Sequence, residues 1–185
     1  MKNNYVRPSW YDYFFEVVDS ISKRATCDRG RSGCVIVKDN QILSTGYVGS
    51  PPGLSHCDDV GHQFEQRKKI IKMEHVKQFK IKVPEEYKYN KLMQVYESPM
   101  SKHCIRTIHS EQNAICQAAK KGVKLDGSTL YCKMTPCRTC AMLIIASGIK
   151  FVNCEKRYHA GKESEEMFKE VGILITFRNG SIEKY

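Results

Sequence analysis

Apolar residues recur at two different intervals along this chain, and the intervals alternate. Segments in which they repeat every three to four residues favour helices, and short runs of apolar and β-branched residues favour strands. Strands that alternate with helices are typical of a three-layer α/β/α sandwich with helices on both faces of a mixed sheet. The pattern predicts helices over residues 9–25, 109–121, 136–147 and 163–171, and strands over residues 33–37, 42–47, 128–134, 150–154 and 173–177.

Polar residues and a proline mark where these elements begin and turn. Ser9 and Asp12 have the spacing of a capping box at the start of the first helix. Asp39-Asn40 separates the first two strands and favours a tight hairpin turn, so these strands are predicted to be antiparallel. Pro136 is predicted to lie in the first turn of its helix, where its missing N–H costs least.

Residues 62–102 interrupt this alternation. Residues 68–79 have the pattern of a basic amphipathic helix, while Pro84 and Pro99 favour loops in the remainder. The stretch is not of low complexity, and the chain contains no internal repeat. We therefore expect one domain over residues 1–185, in which a charged insertion occupies about residues 63–102.

Charge and apolar content narrow the classes of partner and compartment. The 185 residues carry a formal net charge of +10, which favours an anionic partner such as nucleic acid or a nucleotide phosphate. Ten Lys or Arg and five acidic residues lie between Gln63 and Lys102, a stretch that is either a solvated face or a docking surface. The sequence contains neither a secretory nor a membrane-spanning segment, so a cytoplasmic location is expected.

The cysteines are numerous for a chain of this kind. Nine of them would suit a disulfide framework in a secreted protein, but in a cytoplasmic chain metal ligands and buried thiols are the better interpretation. Those in apolar segments are predicted to be core residues: Cys34, Cys116, Cys132 and Cys154.

Two short motifs carry the candidate chemistry, His109-x-Glu111 and Pro136-Cys137-x-x-Cys140. One imidazole and two thiolates fill three positions of a tetrahedral zinc site, and an open fourth position is typical of a catalytic site. Both motifs are predicted at helix N-termini, where the helix dipole lowers the pKa of thiols. Glu111 is then available as a proton shuttle. A Cys-x-x-Cys alone is often a redox pair or half of a structural zinc site, but the combination is far more specific.

Further blocks accompany these motifs: Ser9-Trp10, Cys27-Asp28-Arg29, Gly33-Cys34-Val35-Ile36-Val37, Gly46-Tyr47-Val48-Gly49-Ser50-Pro51, His56-Cys57-Asp58-Asp59-Val60-Gly61-His62 and His103-Cys104-Ile105-Arg106-Thr107-Ile108-His109. With them the chain resembles the deoxycytidylate (dCMP) deaminases of the bacterial and phage type, including their late-competence relatives. The paired zinc motifs alone are the signature of zinc deaminases in general. The flanking blocks distinguish this family from tRNA adenosine deaminases and cytidine deaminases.

That resemblance implies a cytidine deaminase-like fold with a central mixed five-stranded sheet. It implies that His109, Cys137 and Cys140 bind the catalytic zinc and that Glu111 carries the protons. A water activated by zinc would attack C4 of cytosine, Glu111 would protonate N3, and ammonia would leave. The reaction converts dCMP to dUMP and so supplies dTMP synthesis, with dCTP as a second candidate substrate.

The resemblance also implies contacts to the substrate from Tyr158 and from the backbone N–H of Ser110, where most relatives carry alanine. Val48 stands where relatives have an asparagine that binds the deoxyribose. A valine cannot make that hydrogen bond, a loss of about 1 to 3 kcal/mol. Relatives are often activated by dCTP with Mg²⁺, inhibited by dTTP and assembled as hexamers. Lys120 stands where several relatives have arginine. The differences at Lys120 and Val48 both make the same regulation by dCTP and dTTP less expected in this chain.

Phosphate binding and a second zinc complete the expectations. The arginines in or near the family-like blocks are candidates for the substrate phosphate, although a surface ion pair explains each equally well: Arg24, Arg29 and Arg106. Part of the family carries a structural zinc, which the resemblance assigns here to Cys27, Cys57 and His103, with His62 as the fourth ligand and Cys104 as its alternative. Buried thiols at Cys27 and Cys57, with His62 on the surface, are the other interpretation.

Two other functions compete with nucleotide deamination. The first is a nucleic-acid-editing deaminase of cytidine or adenosine that docks through the basic insertion, although the aromatic residues there form no evident stacking module. The second is a weakly active zinc-binding regulatory protein, which only Val48 suggests. Ammonia release from dCMP, dCTP and single-stranded DNA distinguishes the three hypotheses.

Overall fold

The computed structural model describes residues 5–67, 70–98 and 101–183, apart from the side chains of residues 66, 67, 101–103 and 183. Its contacts divide the described chain into two compact units. The first unit comprises the residues up to Gly61 together with those from Thr107 onward, and the second is His62–Arg106. The second unit thus covers the stretch in which the sequence pattern is interrupted.

The elements follow one another in this order: α1 (Trp10–Ser22), β1 (Gly33–Lys38), β2 (Gln41–Tyr47), α2 (Cys57–Val60), β3 (Phe64–Arg67), β4 (Ile70–Lys72), α3 (Met73–Phe79), β5 (Lys88–Asn90), β6 (Val95–Glu97), β7 (Ser101–Cys104), α4 (Ser110–Lys120), β8 (Thr129–Met134), α5 (Arg138–Ala146), β9 (Phe151–Tyr158), α6 (Lys162–Glu170), β10 (Leu174–Phe177) and β11 (Ile182–Glu183). No helix among the described residues combines the length and the apolar character that crossing a bilayer requires.

The first helix and hairpin form as the sequence predicts. The side chain of Ser9 accepts a hydrogen bond from the backbone N–H of Asp12 at 3.1 Å, which confirms the predicted N-cap. Asp39 and Asn40 both adopt positive φ, 51° and 60°, as a two-residue hairpin turn requires. The turn pairs β1 with β2 in antiparallel register, from Gly33 opposite Tyr47 to the turn.

The central sheet of the first unit is mixed, as predicted, and has the order β10-β9-β8-β1-β2. β1 is antiparallel to both of its neighbours, β2 and β8. The β8–β9 and β9–β10 pairs are parallel, and the short β11 pairs with the far end of β9. The parallel β8–β9 pair brings the carboxyl ends of these two strands to one edge of the sheet, and Cys137 and Cys140 follow β8 there.

Two apolar clusters cover opposite faces of this sheet. Successive residues of β1 alternate between them, since Cys34 and Ile36 join one cluster and Val35 and Val37 join the other. The larger cluster receives side chains from α4, α5 and α6, and the smaller one from α1. Helices on both faces confirm the predicted three-layer arrangement.

Close approach of α4 to β2 depends on one glycine. A Cβ on Gly46 would overlap the carbonyl oxygen of Ser110 and the amide nitrogen of Ala114. In addition, the buried hydroxyl of Ser44 donates to the carbonyl of Ala114 at 2.7 Å. The first turn of α4 therefore lies directly on the backbone of β2.

Two predictions for the first unit are corrected. Pro136 precedes the N-cap Cys137 instead of lying in the first turn of α5, because the Cys137 backbone is extended at φ −69° and ψ 168°. Cys116 is exposed rather than in the core, since it lies on the outer face of α4, whereas Cys34, Cys132 and Cys154 are fully buried.

The second unit differs most from its prediction. Residues 68–79 do not form one helix: Lys68 and Lys69 lie outside the described residues, Ile70–Lys72 is the strand β4, and only Met73–Phe79 is helical. The loop at Pro84 is confirmed, and Pro99 lies outside the described residues. The segment after Pro84 was predicted as loop, but it contains the strands β5 and β6, which form a sheet of order β4-β6-β5 with the earlier strand β4. β3 pairs with β7.

Candidate metal centre and active site

Three side chains at the starts of two helices converge in the first unit. His109 is the N-cap of α4, Cys137 is the N-cap of α5, and Cys140 lies in the first turn of α5. The Nδ1 atom of His109 lies 3.4 Å from Sγ of Cys137 and 3.4 Å from Sγ of Cys140. One nitrogen and two sulfur donors within 4.8 Å of one another fit a zinc ion with three protein ligands.

Backbone bonds to β2 and its loop fix the start of α4. Gly49 and Ile108 form an isolated antiparallel bridge, with hydrogen bonds of 3.3 and 3.0 Å between their backbones. The side chain of Asn113, one turn into the helix, donates to the carbonyl of Tyr47 at 3.0 Å. The imidazole of His109 thus follows directly from a residue that is bonded on both sides.

The start of α5 is fixed by the parallel strands. Thr135, between β8 and the two cysteines, donates its backbone N–H to the carbonyl of Lys156 at 3.2 Å. Its side-chain oxygen accepts from the backbone N–H of Tyr158 at 3.2 Å. Cys140 is fully buried because Ala141 and Ile144, on the same helix, belong to the larger apolar cluster. The two thiols are therefore held by a loop bonded to the end of β9.

The electrostatics of the three ligands favour a bound cation. Hydrogen bonds from Cys140 and His109 lower the pKa of Cys137 to about 3, although burial opposes the shift. The hydrogen bond with Cys137 raises the pKa of His109 to about 9. The hydrogen bond with Cys137 raises the pKa of Cys140, and burial of the thiol raises it further. A divalent cation at the centre would stabilise both thiolates together.

Glu111 supplies a carboxylate beside the ligands. It is only 7% exposed, and its Oε2 lies 3.8 Å from Sγ of Cys140 and accepts a hydrogen bond from the hydroxyl of Ser110 at 3.1 Å. Burial raises the pKa of this carboxyl above its usual range. A buried carboxyl next to a metal, with a raised pKa, suits the acceptance and release of a proton.

Val48 and Tyr158, the other residues predicted to contact a substrate, differ in exposure. Val48 is buried and its backbone is fully bonded, to the carbonyl of Ser32 and the N–H of Thr26. Tyr158 is half-buried at the end of β9, and burial raises the pKa of its hydroxyl, as does the charge of Cys137. Tyr158 and the metal ligands therefore share one electrostatic environment.

The candidate phosphate-binding arginines belong to different units. In the first unit, Arg24 and Arg29 are exposed in the segment after α1, and the charge of Arg29 acts to lower the pKa of Tyr158. Arg106 is the last residue of the second unit. Sequence reasoning missed Arg31, whose guanidinium donates to both carboxylate oxygens of Asp58 at 3.0 Å and so ties the segment after α1 to α2.

Sequence reasoning also missed two polar residues near the site, Ser32 and Thr135. The hydroxyl of Ser32 lies 3.5 Å from that of Ser110, and the side chain of Thr135 accepts from the backbone of Tyr158. Thr135 directly precedes the Pro136-Cys137 motif, and this position is the one sequence feature that could have marked it as a residue near the site. Nothing in the spacing of Ser32 and Ser110 connects them.

Each unit contains a pair of further metal-ligand side chains. In the first unit, Sγ of Cys27 and Sγ of Cys57 lie within 4.8 Å of each other, and the N–H of Asp58 bonds the carbonyl of Thr26. In the second unit, a ring nitrogen of His62 lies within 4.8 Å of Sγ of Cys104. The side chain of His103, the other predicted ligand, lies outside the described part of the chain.

Known proteins share both the motifs and the fold. Residues 8–156 match the family described as the cytidine and deoxycytidylate deaminase zinc-binding region. ComE operon protein 2 of Bacillus subtilis is 32% identical, over 91% of this chain and 71% of its own length. The deoxycytidylate deaminase of Enterobacteria phage T4 is 34% identical, over 84% of this chain and 82% of its own.

A solved structure supports the fold. The dCMP deaminase of cyanophage S-TIM5, in complex with dCMP and dUMP, superposes with a TM-score of 0.64 at 20% identity, over 94% of this chain and 99% of its own. The family match spans most of the first unit and includes His109, Glu111, Cys137 and Cys140. The chain therefore belongs to the cytidine and deoxycytidylate deaminase family, whose hallmark is this zinc-binding region.

Proposed function

We propose that this protein catalyses the zinc-dependent hydrolytic deamination of dCMP to dUMP, and so supplies dTMP synthesis in the cytoplasm. The observation that carries the proposal is the buried carboxylate of Glu111 beside one nitrogen and two sulfur ligands. A redox pair or a structural zinc site needs no such carboxylate. We propose dCMP as the substrate because the phage relatives are named deoxycytidylate deaminases.

The residues divide the reaction between them. His109, Cys137 and Cys140 would hold zinc, which when bound supplies Lewis-acid activation of a water. Glu111 accepts a proton from that water as its oxygen bonds to C4 of cytosine, and transfers the proton to N3. A second proton, moved by the same carboxylate, reaches the amino group as the C4–N4 bond breaks and ammonia leaves. The base is then uracil.

Two substrate contacts are part of the proposal. The backbone N–H of Ser110, at the start of α4, is proposed to contact the base, and the ring of Tyr158 is proposed to lie beside it. Val48 offers the sugar only methyl groups, since both of its backbone polar groups are already bonded. Binding of the deoxyribose therefore lacks one hydrogen bond, worth about 1 to 3 kcal/mol. We keep dCTP as a second substrate for this reason.

The test is an assay of zinc-loaded protein with dCMP, dCTP and a cytosine-containing single-stranded DNA. Ammonia release and nucleotide chromatography measure the product. We expect dUMP from dCMP at the highest kcat/KM. Turnover of the DNA alone would replace the proposal with nucleic-acid editing, and failure of all three substrates in protein with full zinc content would refute deamination.

Arginines in or near the family-like blocks are proposed to bind the substrate phosphate. Alanine at Arg24, Arg29 and Arg106, introduced singly, should raise KM for dCMP about tenfold in at least one variant, because a charge-assisted bond to phosphate is lost. Deoxycytidine, which has no phosphate, is the control substrate, and its KM should not change. If all three variants keep the wild-type KM for dCMP, the phosphate is bound elsewhere.

We further propose a second, structural zinc, for which the ligands are Cys27, Cys57, His62 and one residue of the His103-Cys104 pair. Cys104 is favoured as the fourth ligand, because its sulfur and the ring of His62 lie close together within the second unit. His62 directly follows Gly61 in the chain. Four nitrogen and sulfur ligands without an open position would make a closed site that stabilises the fold.

Metal counting tests this second site. We expect two zinc ions per chain in the wild type and one in Cys57→Ser, with a melting temperature lowered by roughly 5 °C or more, since zinc binding is part of the folding free energy. Cys116→Ser is the matched control, because Cys116 is exposed and lies outside both ligand groups. Fully active wild type with one zinc per chain would contradict the proposal.

Regulation and assembly complete the proposal. We expect a homo-oligomer, with a hexamer as the first candidate, activated by dCTP with Mg²⁺ and inhibited by dTTP. Val48 and the exposed Lys120 replace residues that relatives use, so weak or absent activation by dCTP is the alternative. Analytical ultracentrifugation with and without dCTP, together with the saturation curve for dCMP, measures both properties.

A further inference from the structure

The side chain of Ser110 lies in an unusual position for a residue at the start of a helix. It is only 1% exposed, and its hydroxyl has three polar neighbours. These are Oε2 of Glu111 at 3.1 Å, the hydroxyl of Ser32 at 3.5 Å and the thiol of Cys34. Because it is buried, this hydroxyl has to satisfy its hydrogen bonds among these groups.

The geometry gives the direction of the main bond, since the hydroxyl of Ser110 donates to Oε2 of Glu111. A serine hydroxyl donates one hydrogen bond and accepts two. Its oxygen therefore still has room to accept from the hydroxyl of Ser32, at 3.5 Å, while its one proton is used on Glu111.

We propose that Ser110 is a positioning residue for Glu111, because its hydroxyl fixes the orientation of the carboxylate plane and keeps one carboxylate oxygen turned toward Cys140. The inference deepens the proposed function, because it assigns a role to Ser110 only if Glu111 carries the protons. Proton transfer depends steeply on geometry, and a displacement of about 1 Å can cost roughly a hundredfold in rate. Without the bond, the carboxylate plane can rotate about the last side-chain torsion, and the position of its oxygens is less well defined.

The first test replaces the hydroxyl alone. In Ser110→Ala we expect kcat for dCMP to fall about tenfold with KM within twofold of wild type and unchanged zinc content, since the backbone N–H that faces the base remains. Ser44→Ala is the matched control, because Ser44 is also buried and its hydroxyl also bonds α4, at Ala114. It should lower stability but not kcat. A raised KM, or lost zinc, in Ser110→Ala would assign Ser110 to binding or to folding instead.

A double-mutant cycle separates positioning from packing. Glu111→Asp shortens the side chain by one methylene, so that its carboxylate no longer reaches Ser110. If Ser110 acts through Glu111, adding Ser110→Ala to Glu111→Asp lowers kcat no further. An equal tenfold loss in both backgrounds would overturn the proposal, because the effect would then be independent of the carboxylate.

A spectroscopic measurement keeps this inference separate from the proposed function. In zinc-loaded protein labelled with ¹³C at glutamate Cδ, the Glu111 resonance is identified by its loss in Glu111→Gln. It should shift in Ser110→Ala and stay in place in Ser44→Ala, whatever the substrate. If the wild type is inactive but the resonance shifts in Ser110→Ala, the proposed function is wrong and the contact between Ser110 and Glu111 still stands. Active wild type in which Ser110→Ala leaves the resonance in place refutes the positioning role alone.

Discussion

The two units of this protein are ordered by different means. Among the described residues, the buried apolar side chains lie in the first unit with one exception, Val95 at 6% exposure. The second unit instead contains short strand pairs, a ring contact between Tyr89 and Tyr96 at 5.0 Å and a hydrogen bond from Asn90 to Glu97 at 3.0 Å. Backbone pairing without an apolar core gives little stability in water.

This difference indicates that the first unit provides both the apolar core and the metal ligands. The first unit buries enough apolar surface on both faces of its sheet to fold and to hold three metal ligands in place. Natural domains of this small size commonly add a disulfide, a metal or a partner to a small core. None of the nine cysteines, all of which are described, forms a disulfide.

The largest expected effect would show that the chemistry belongs to the first unit alone. Glu111→Gln should lower kcat about a thousandfold or more at unchanged zinc content and melting temperature, because an amide fills the space but carries no proton. Tyr89→Ala, in the second unit, should leave kcat within twofold. If Glu111→Gln retains activity within tenfold of wild type, Glu111 is not the proton carrier and the contrast fails.

The next largest effect is a loss of stability at the close contact between α4 and β2 in the first unit. Gly46→Ala should destabilise the fold by about 3 kcal/mol or more, since its Cβ would overlap the backbone of α4 at Ser110. Gly180→Ala is the control, because among the described residues no atom beyond its two chain neighbours lies within 4 Å of its Cβ position. Thermal unfolding measures both variants. Equal melting temperatures would mean that α4 can move away from β2 without cost.

The smallest expected effect compares one buried valine from each unit. Val152→Ala, at a fully buried position of β9, should lower the free energy of unfolding by about 2 kcal/mol, through lost transfer energy and a cavity. Val95→Ala should instead increase amide exchange within residues 70–98 and leave the exchange of β1 and β8 unchanged. Faster exchange across both units in Val95→Ala would show that the two share one cooperative transition.

The first unit could be predicted from sequence because its local signals and its tertiary contacts agree. Capping by Ser9, the turn at Asp39-Asn40 and the two metal-binding motifs all lie where the sequence places them. Each signal is carried by neighbouring residues. Contacts between residues that lie far apart in the chain carry no such signal in the sequence. The contact between Ser32 and Ser110 and the hydrogen bonds between Arg31 and Asp58 were therefore found only in the structure.

The second unit was predicted poorly for a physical reason. Ile70, Ile71 and Met73 fit a helical face as well as a strand followed by a helix, and a short apolar run cannot separate the two. The strand β4 forms because it pairs with β6, in which Tyr96 lies opposite Ile71. Tertiary pairing thus outweighs helix propensity where the helical segment buries no residue.

The order of the elements along the chain determines when the ligands His109, Cys137 and Cys140 become available together during synthesis. β1 pairs with β2 across a two-residue turn, but its other neighbour, β8, is translated only after the whole second unit. The early hairpin therefore leaves the ribosome with one edge of β1 unpaired, and long-range pairing of this kind is slow. Cys137 and Cys140 emerge later still, so a zinc ion held by His109 and these two thiols binds only after translation of α5 and cannot guide the folding of the first strands.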